Sequence, residues 1–317
     1  MSWLEVIRPG VLSSVQDSGR QGYRHHGLAC GGALDVRSFS WANKLLDNPR
    51  NAACLEIVLG GFHAVTRGKL QIALTGAEAP VAVNGQPVSM WQTLNLNDAD
   101  ELTIGHSASH RLIYLALPGG LDAPLHFGSR SVVIRERIAG LDPIRAGDKL
   151  AALKSNDTRP DRVVPIACRP ALSADIRLRI IPGYQYHQFA RSDILRLTHS
   201  AYTVSHQSDR MGFRLQGPAM DSPPPGILSE GIAQGAVQVP GDGQPIVLLN
   251  DGQTIGGYPK PGVVPSLDCS ALAQQLPGTR VRFEITDLAT AQNERRLFER
   301  HYQCTRWRSC GHLLEWL

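Results

Sequence analysis

The sequence predicts a mostly β protein with a few helices. Short runs of apolar or alternating residues recur along the chain, and only a few segments show helical spacing. Between the runs lie frequent turn residues, with 31 glycines and 21 prolines in 317 residues. Such punctuation is typical of many short strands rather than of long helices. A chain of this length is sufficient for two domains, each with its own core.

The clearest strand pair is a hairpin over residues 81–88 that turns at Asn84-Gly85. Asn-Gly accommodates the positive φ angles that a type I′ turn requires. Apolar or alternating runs predict further strands in both halves of the chain, at residues 70–74, 112–117, 177–181, 236–239, 246–249 and 280–285. Both halves are therefore predicted to be built from strands.

Three segments show the spacing or the boundary residues of helices. The first follows Asp35, a suitable N-cap, and ends before Pro49. The second covers residues 270–276 and ends at Pro277-Gly278, and the third follows Asp287 towards the C-terminus. We expect the last one to pack on the second domain.

Residues 154–162 divide the chain. They are polar, include Pro160 and lack apolar periodicity, as is typical of a linker. The sequence therefore predicts an N-terminal domain at residues 1–162 and a C-terminal domain at residues 163–317.

Composition and charge argue against several classes of partner. The net charge is only +4, with 32 basic and 28 acidic residues scattered along the chain, so nucleic acid is not predicted as a partner. No apolar run reaches the length of a membrane span, and the first residues lack the pattern of a signal peptide. We expect a cytoplasmic protein that does not bind a membrane.

Metal binding and attached cofactors are also not predicted. Cys304, Cys310 and His312 do not have the Cys-x-x-Cys spacing of structural zinc sites. The chain lacks the phosphate-loop, Gly-x-Gly-x-x-Gly, Gly-x-Ser-x-Gly and His-Glu-x-x-His motifs. No methionine precedes a lysine, so the usual context for biotin attachment is missing and we expect no biotin on this chain.

The first polar cluster spans residues 15–22. Gln16, Asp17 and Arg20 lie among glycines and offer an amide, a carboxylate and a guanidinium to a small polar ligand. A turn closed by an Asp17–Arg20 ion pair is the alternative explanation.

A second cluster surrounds Arg210, just before a predicted alternating strand. Two interpretations of this cluster are equally supported. Arg210 binds a ligand, or Asp209 forms a surface ion pair with Arg210 or Arg214.

The third cluster gives the strongest local signal. An apolar strand delivers several polar side chains into a Gly-Gly loop, which can hold them rigidly near a ligand. Asp251 has the chemistry of a general base, and Gln253 can read an amide as donor and as acceptor. The residues concerned are Asn250, Asp251, Gln253, Thr254 and Tyr258. A glycine-rich hairpin that caps itself is the alternative.

These clusters fall into one ordered set of motifs. They are Val15-Gln16-Asp17-x-Gly19-Arg20-x-Gly22, Gly32-Ala33-Leu34-Asp35, Ala42-Asn43, Leu55-Glu56, Arg210-Met211-Gly212-x-Arg214-Leu215 and Asn250-Asp251-x-Gln253-Thr254-x-Gly256-Gly257-Tyr258-Pro259. In this order they resemble the family formed by the C subunits of bacterial 5-oxoprolinase, also called the KipA-like or biotin-dependent carboxyltransferase family. That family is similar to allophanate hydrolase subunit 2 and to part of the carboxyltransferase domain of urea carboxylase.

The resemblance implies two cyclophilin-like β-barrel domains and a hydrolase that works only as a hetero-oligomer. The implied partners are a KipI-like protein of the B type and a second protein of the A type, and the implied reaction is ATP-dependent opening of 5-oxoproline to L-glutamate. ATP binding is implied for the complex rather than for this chain. The implied catalytic residues are Asp251, Gln253 and Arg210, and the implied substrate-binding residues are Gln16, Asp17, Arg20, Asn250, Thr254 and Tyr258.

Two other functions remain open at this stage. One is carboxyl transfer from carboxybiotin, carried by another protein, to urea or another small amide. The other is non-catalytic, with the chain acting only as an antagonist of a kinase-inhibiting partner.

Overall fold

The computed structural model describes residues 2–154, 160–171, 173, 175–221 and 227–305. The centre of the predicted linker, residues 155–159, lies outside the described residues, as do Cys310 and His312. Contacts divide the chain into two compact units. The first comprises Met1–Gln21, Gly31–Ala171 and Gln303–Leu317, and the second comprises Gly22–Cys30 and Leu172–Tyr302.

The two units differ from the linker-based division at three places, one of which is Gln303–Leu317, assigned to the first unit. Residues 163–171 stay with the first unit, where the Val164 amide donates to the carbonyl of Trp91 at 2.8 Å. The early segment Gly22–Cys30 belongs to the second unit. As a division into folding domains, the boundary after residue 162 stays a prediction.

The first unit is built from two antiparallel sheets and one helix. The first sheet has six strands in the order β11-β1-β4-β9-β6-β7, and the second has five in the order β2-β3-β10-β5-β8. The strands are β1 (Trp3–Pro9), β2 (Leu12–Gln16), β3 (Cys54–Val58), β4 (Phe62–Arg67), β5 (Leu70–Gly76), β6 (Val81–Val83), β7 (Gln86–Val88), β8 (Gln92–Leu96), β9 (Glu101–Ile104), β10 (Leu112–Ala116) and β11 (Lys149–Ala151). Strands β3, β5 and β10 are buried along their whole length and form the centre of this core.

The second unit is a closed seven-stranded barrel in the order β12-β19-β16-β17-β14-β13-β20. A parallel pairing of β12 with β20 closes it, and a separate two-stranded ribbon pairs β15 with β18. The strands are β12 (Asp175–Pro182), β13 (Tyr202–Val204), β14 (Gly212–Gln216), β15 (Glu230–Gly231), β16 (Ala236–Gln238), β17 (Ile246–Leu248), β18 (Ile255–Gly256), β19 (Gly262–Val263) and β20 (Arg280–Ile285). The prediction of a β-dominated fold is confirmed, and the second unit is a closed barrel as predicted; among the described residues the first unit forms two antiparallel sheets rather than a second closed barrel.

The hairpin at Asn84-Gly85 is confirmed. Strands β6 and β7 flank it, with Val83 opposite Gln86. Asn84 has φ 51° and Gly85 has φ 77°, as a type I′ turn requires.

Four helices lie among the described residues: α1 (Val36–Leu45), α2 (Arg191–His199), α3 (Ser266–Ala273) and α4 (Leu288–Cys304). The predictions of α1 and α4 are confirmed, and the Asp35 carboxylate caps α1 by accepting from the amides of Arg37 and Ser38. None of the helices is both long and apolar enough to cross a membrane within the part of the chain that is described.

Two helices differ from the sequence-based expectation. Helix α3 covers Ser266–Ala273 rather than residues 270–276, and Pro265 in an extended conformation precedes its first turn. Helix α2 was not predicted. It follows Ala190, which makes no side-chain capping bond, so the usual start signal is missing.

Candidate functional site

The N-terminal motif forms a buried hydrogen-bonded cluster in the first unit. The side chain of Asp17 accepts from the Gly19 amide at 2.8 Å, the Ser129 hydroxyl at 2.7 Å, the Arg130 amide at 2.6 Å and the Ser131 hydroxyl at 2.6 Å. These bonds join the end of β2 to residues 129–131. The Asp17 carboxylate is therefore committed to holding two loops together.

Gln16 and Arg20 bind to the same segment. The Gln16 amide nitrogen donates to the carbonyl of Val132 at 2.9 Å. Arg20 is 1% exposed, donates to the carbonyl of Ser131 at 2.6 Å and pairs with Glu136 at 3.2 Å. Arg20 thus forms an ion pair with Glu136. None of the four hydrogen bonds to the Asp17 carboxylate described above comes from Arg20.

Arg210 and Asp251 form a buried bidentate pair in the second unit. Arg210 Nε donates to Asp251 Oδ2 at 2.9 Å, and its Nη2 donates to Oδ1 at 2.9 Å. The side chains are only 9% and 6% exposed. Asp209, which the sequence left as an alternative partner, accepts from the amide of Met211 at 2.8 Å.

The bidentate geometry restricts what Asp251 can do. Both of its carboxylate oxygens bind a guanidinium, which is a strong, charge-assisted arrangement. The Asp251 amide also donates to the carbonyl of Arg210 at 3.0 Å. The pair therefore fixes the start of the loop after β17, and its chemistry fits orientation better than proton transfer.

Two glutamine side chains meet beyond this pair. Gln253 Nε2 donates to Gln238 Oε1 at 3.1 Å. Gln238 is only 1% exposed, whereas Gln253 is partly exposed. Gln238 was not among the predicted site residues, although a glutamine at the end of the apolar strand β16 is itself a signal.

The early segment Gly22–Cys30 supplies a second residue that was not predicted. Arg24 Nη2 donates to the carbonyl of Gln253 at 3.3 Å, and it also donates to the carbonyl of Ile232. The Ile232 amide in turn donates to the carbonyl of Thr254 at 2.9 Å. Arg24 thus binds the backbone of the polar loop, and no local pattern in the sequence indicates a contact across 229 positions.

The end of the loop carries a group of ionisable side chains. Lys260 Nζ lies 2.5 Å from Glu230 Oε1, and the Tyr184 hydroxyl donates to Glu230 Oε2. The bond from Lys260, followed by that from Tyr184, lowers the pKa of Glu230 below its usual value. The pKa of Tyr184 is raised, chiefly by its bond to Glu230. Tyr258, which directly follows Gly256-Gly257, is 49% exposed.

The predicted site residues thus fall into both units. Gln16, Asp17 and Arg20 meet in the first unit, and the others share the loop or its immediate support in the second. Those in the second unit are Arg210, Asn250, Asp251, Gln253, Thr254 and Tyr258. Asn250 Oδ1 accepts from Gln234 Nε2 at 2.5 Å.

Among the described residues, no group of three or more His, Cys, Asp or Glu side chains is arranged to hold a metal ion.

The chain matches curated proteins along nearly its whole length. It is 35% identical over 308 residues to the C subunit of 5-oxoprolinase from Escherichia coli (strain K12), covering 96% of this chain and 98% of that protein. It is 32% identical to the C subunit of 5-oxoprolinase from Haemophilus influenzae, covering 92% of this chain and 94% of that protein.

A solved structure and a family model extend the comparison. The crystal structure of the K. lactis urea amidolyase matches with a TM-score of 0.88 and 25% identity, over 95% of this chain but only 20% of that one. The family model described as "Carboxyltransferase domain, subdomain A and B" matches residues 26–285. The chain belongs to this carboxyltransferase-domain family.

Proposed function

We propose that this chain is the C-type subunit of a cytoplasmic, ATP-dependent 5-oxoprolinase. In the reaction, water adds to the lactam carbonyl of 5-oxoproline, the ring C–N bond breaks, and the nitrogen becomes the amino group of L-glutamate. The partners in this proposal are a KipI-like protein of the B type and a protein of the A type. The observation that carries the proposal is the end-to-end match with two proteins named as C subunits of 5-oxoprolinase.

The loop after β17 supports this proposal chemically. A lactam offers one N–H donor and one carbonyl acceptor, and side-chain amides are suited to both. Gln253 and Asn250 would bind these groups, and the exposed ring of Tyr258 would cover the apolar face of the substrate ring. Thr254 is buried at 9% exposure and belongs to the wall of this proposed site.

Arg210 and Asp251 have a supporting role in this proposal. Their bidentate pair keeps the loop in one conformation before substrate binds, which is what an effective site requires. Direct catalytic roles for Arg210, Asp251 and Gln253 stay predictions. The substrate-binding roles of Gln16, Asp17 and Arg20 also stay predictions, and their bonds in the first unit favour a role in ordering residues 129–136.

ATP in this proposal is bound by the assembled complex. Helix α1 follows a glycine-containing segment, but the Asp35 carboxylate caps its first amides. These amides therefore do not offer the open anion site that a helix N-terminus can provide to phosphate. ATP would supply the free energy of hydrolysis through a partner protein, while this chain would hold the lactam.

Carboxyl transfer is the second candidate function. It is favoured by the family description and by the TM-score of 0.88 with part of a urea amidolyase. Under this alternative the same amide-binding loop would hold urea or a related amide, and carboxybiotin would come from another protein. The reaction would then depend on bicarbonate and a biotinylated carrier, neither of which 5-oxoproline hydrolysis requires.

Omission of this chain tests the proposal. The chain is co-expressed with the proteins encoded beside it, and glutamate release from 5-oxoproline with ATP is measured with and without it. We expect ATP-dependent release only when the chain is present. Full release without it would contradict the proposal. Turnover of urea that needs bicarbonate and a biotinylated carrier, with none of 5-oxoproline, would favour carboxyl transfer.

A further inference from the structure

Gln238 has an unusual position for a polar side chain. It ends strand β16 of the barrel with 1% of its surface exposed. Its Oε1 accepts from Gln253 Nε2 at 3.1 Å, but its own Nε2 is buried and has no hydrogen-bond partner among the described residues. Leaving a buried donor unpaired is destabilising, so stability does not explain a glutamine at this position.

The bond to Gln238 determines which group Gln253 offers outward. A glutamine amide has one NH₂ group and one carbonyl oxygen. One of the two Nε2 hydrogens of Gln253 is bonded to Gln238, which fixes the orientation of the amide and leaves Oε1 available to accept from a ligand. Gln253 is partly exposed, so a ligand can reach this oxygen. The side chain therefore presents an acceptor.

Gly256 allows the two amides to lie against the loop. A Cβ atom at this position would lie 2.6 Å from Ile232 Cδ1 and 3.2 Å from Gln238 Nε2. Any larger residue would push on the Gln238 amide and disturb its contact with Gln253. The absence of a side chain at position 256 thus preserves the orientation of the pair.

We propose that Gln238 is a positioning residue that holds the side-chain carbonyl oxygen of Gln253, Oε1, towards the substrate. There Oε1 accepts a hydrogen bond from the N–H of the substrate. This inference rests on the proposed function and specifies its substrate class: lactams or amides with a free N–H. An N-alkylated lactam lacks the donor and places an alkyl group against the acceptor, so the site rejects it.

The test compares two buried glutamines in the assembled complex. Gln238→Met removes the acceptor for Gln253. Gln275→Met is the matched control, because Gln275 is also 1% exposed and half-satisfied: its Nε2 donates to the Ala271 carbonyl at 2.8 Å, and its Oε1 has no partner among the described residues. The measurements are kcat and KM for 5-oxoproline and the inhibition constant of N-methyl-5-oxoproline.

We expect the wild-type complex to bind N-methyl-5-oxoproline at least about 100-fold more weakly than 5-oxoproline. Gln238→Met raises the KM for 5-oxoproline about tenfold, leaves kcat within about twofold and reduces the discrimination between the two lactams. Gln275→Met leaves the KM and the discrimination at their wild-type values. Equal KM values and equal discrimination in all three complexes would overturn the inference.

A second measurement is independent of turnover, so it separates this inference from the proposed function. The chain alone is labelled with ¹⁵N at glutamine side chains, and the Gln253 signal is assigned by its loss in Gln253→Met. We expect the Gln253 amide hydrogens to exchange faster in Gln238→Met than in the wild type. If the wild-type complex releases no glutamate, the proposed function fails while this comparison still decides the inference. Equal exchange rates would show that Gln238 does not hold Gln253.

Discussion

At the scale of single residues, Asp17 shows that a carboxylate suited to binding a ligand can instead stabilise the fold. From the sequence, its carboxylate beside Arg20 and two glycines is suited to a small polar substrate. In the structure Asp17 is only 6% exposed, and its carboxylate accepts from two amides and two hydroxyls. The polar cluster was predicted but its partners were not, because Ser129 lies 112 positions away.

Replacing Asp17 tests this structural role. Asp17→Asn removes one acceptor oxygen and places NH₂ against groups that already donate, so we expect the free energy of unfolding of the first unit to fall by about 3 kcal/mol. Urea denaturation followed by tryptophan fluorescence measures the change. Asp98→Asn is the control, because Asp98 accepts from the Gly68 amide at an exposed position. A loss for Asp17→Asn no larger than that for Asp98→Asn would contradict the structural role.

Cys269 provides a residue-scale prediction from a pKa. Burial raises the pKa of this thiol to about 12 from its ordinary 9.0. Because the thiolate is the reactive form, its population at pH 8 falls about a thousandfold. We expect the Cys269 peptide to escape alkylation by iodoacetamide in the native protein and to react after unfolding, as measured by mass spectrometry. Rapid alkylation under native conditions would show that the thiol is not buried.

At the scale of elements, the sequence predicted well wherever a local signal exists. Asn84-Gly85 specifies a turn, and Asp35 specifies the start of α1, because each acts through its own backbone or the next turn. Helix α2 was not predicted since Ala190 gives no capping signal. The predicted start of α3 at residue 270 is wrong, because the prediction rested on the closing Pro277-Gly278 and did not use Pro265, which directly precedes the helix.

The polar loop shows the same limit within the candidate site. Its residues after Ile246–Leu248 were recognised because an apolar strand leads into Asn, Asp, Gln and Thr. Its supports at Arg24 and Gln238 were not, since both act through contacts that only the barrel creates. Local patterns therefore identify a polar loop more readily than the distant residues that hold it in place.

Arg24 gives the prediction at this scale. Arg24→Met keeps much of the side-chain length but removes the donors to the carbonyls of Ile232 and Gln253, so the loop is less ordered before substrate binds. We expect the KM of the complex for 5-oxoproline to rise about fivefold with a smaller change in kcat. The matched control is Arg282→Met, at a position of strand β20 that is not part of the loop. An identical KM in the two variants would count against the contact.

At the scale of the whole molecule, a β-dominated fold carries a loop rich in amide groups. The fold is shared with part of a much larger urea amidolyase, whereas the full length matches proteins named as C subunits of 5-oxoprolinase. Fold likeness alone leaves the choice of amide open, because one scaffold can serve several substrates. Under the proposed function, the polar groups of the loop, more than the barrel, would distinguish 5-oxoproline from urea.

The most direct test of the role of this loop compares two bidentate Arg–Asp pairs, of which the first is buried and the second is partly exposed at Arg179. Asp251 binds Arg210 at the start of the loop, and Asp268 binds Arg179 in a similar bidentate manner within the same unit. Asp251→Asn and Asp268→Asn each weaken one pair by the same chemical change. ATP-dependent glutamate release from 5-oxoproline is measured in the complex for both variants and for the wild type.

We expect Asp251→Asn to lower kcat/KM by at least about 100-fold, because the loop loses the charge-assisted bidentate pair that anchors its start. Asp268→Asn, at matched levels of folded protein, should retain kcat/KM within about threefold. Equal losses in the two variants would mean that Asp251 matters only for stability. Full activity of Asp251→Asn would contradict the assignment of this loop to the site.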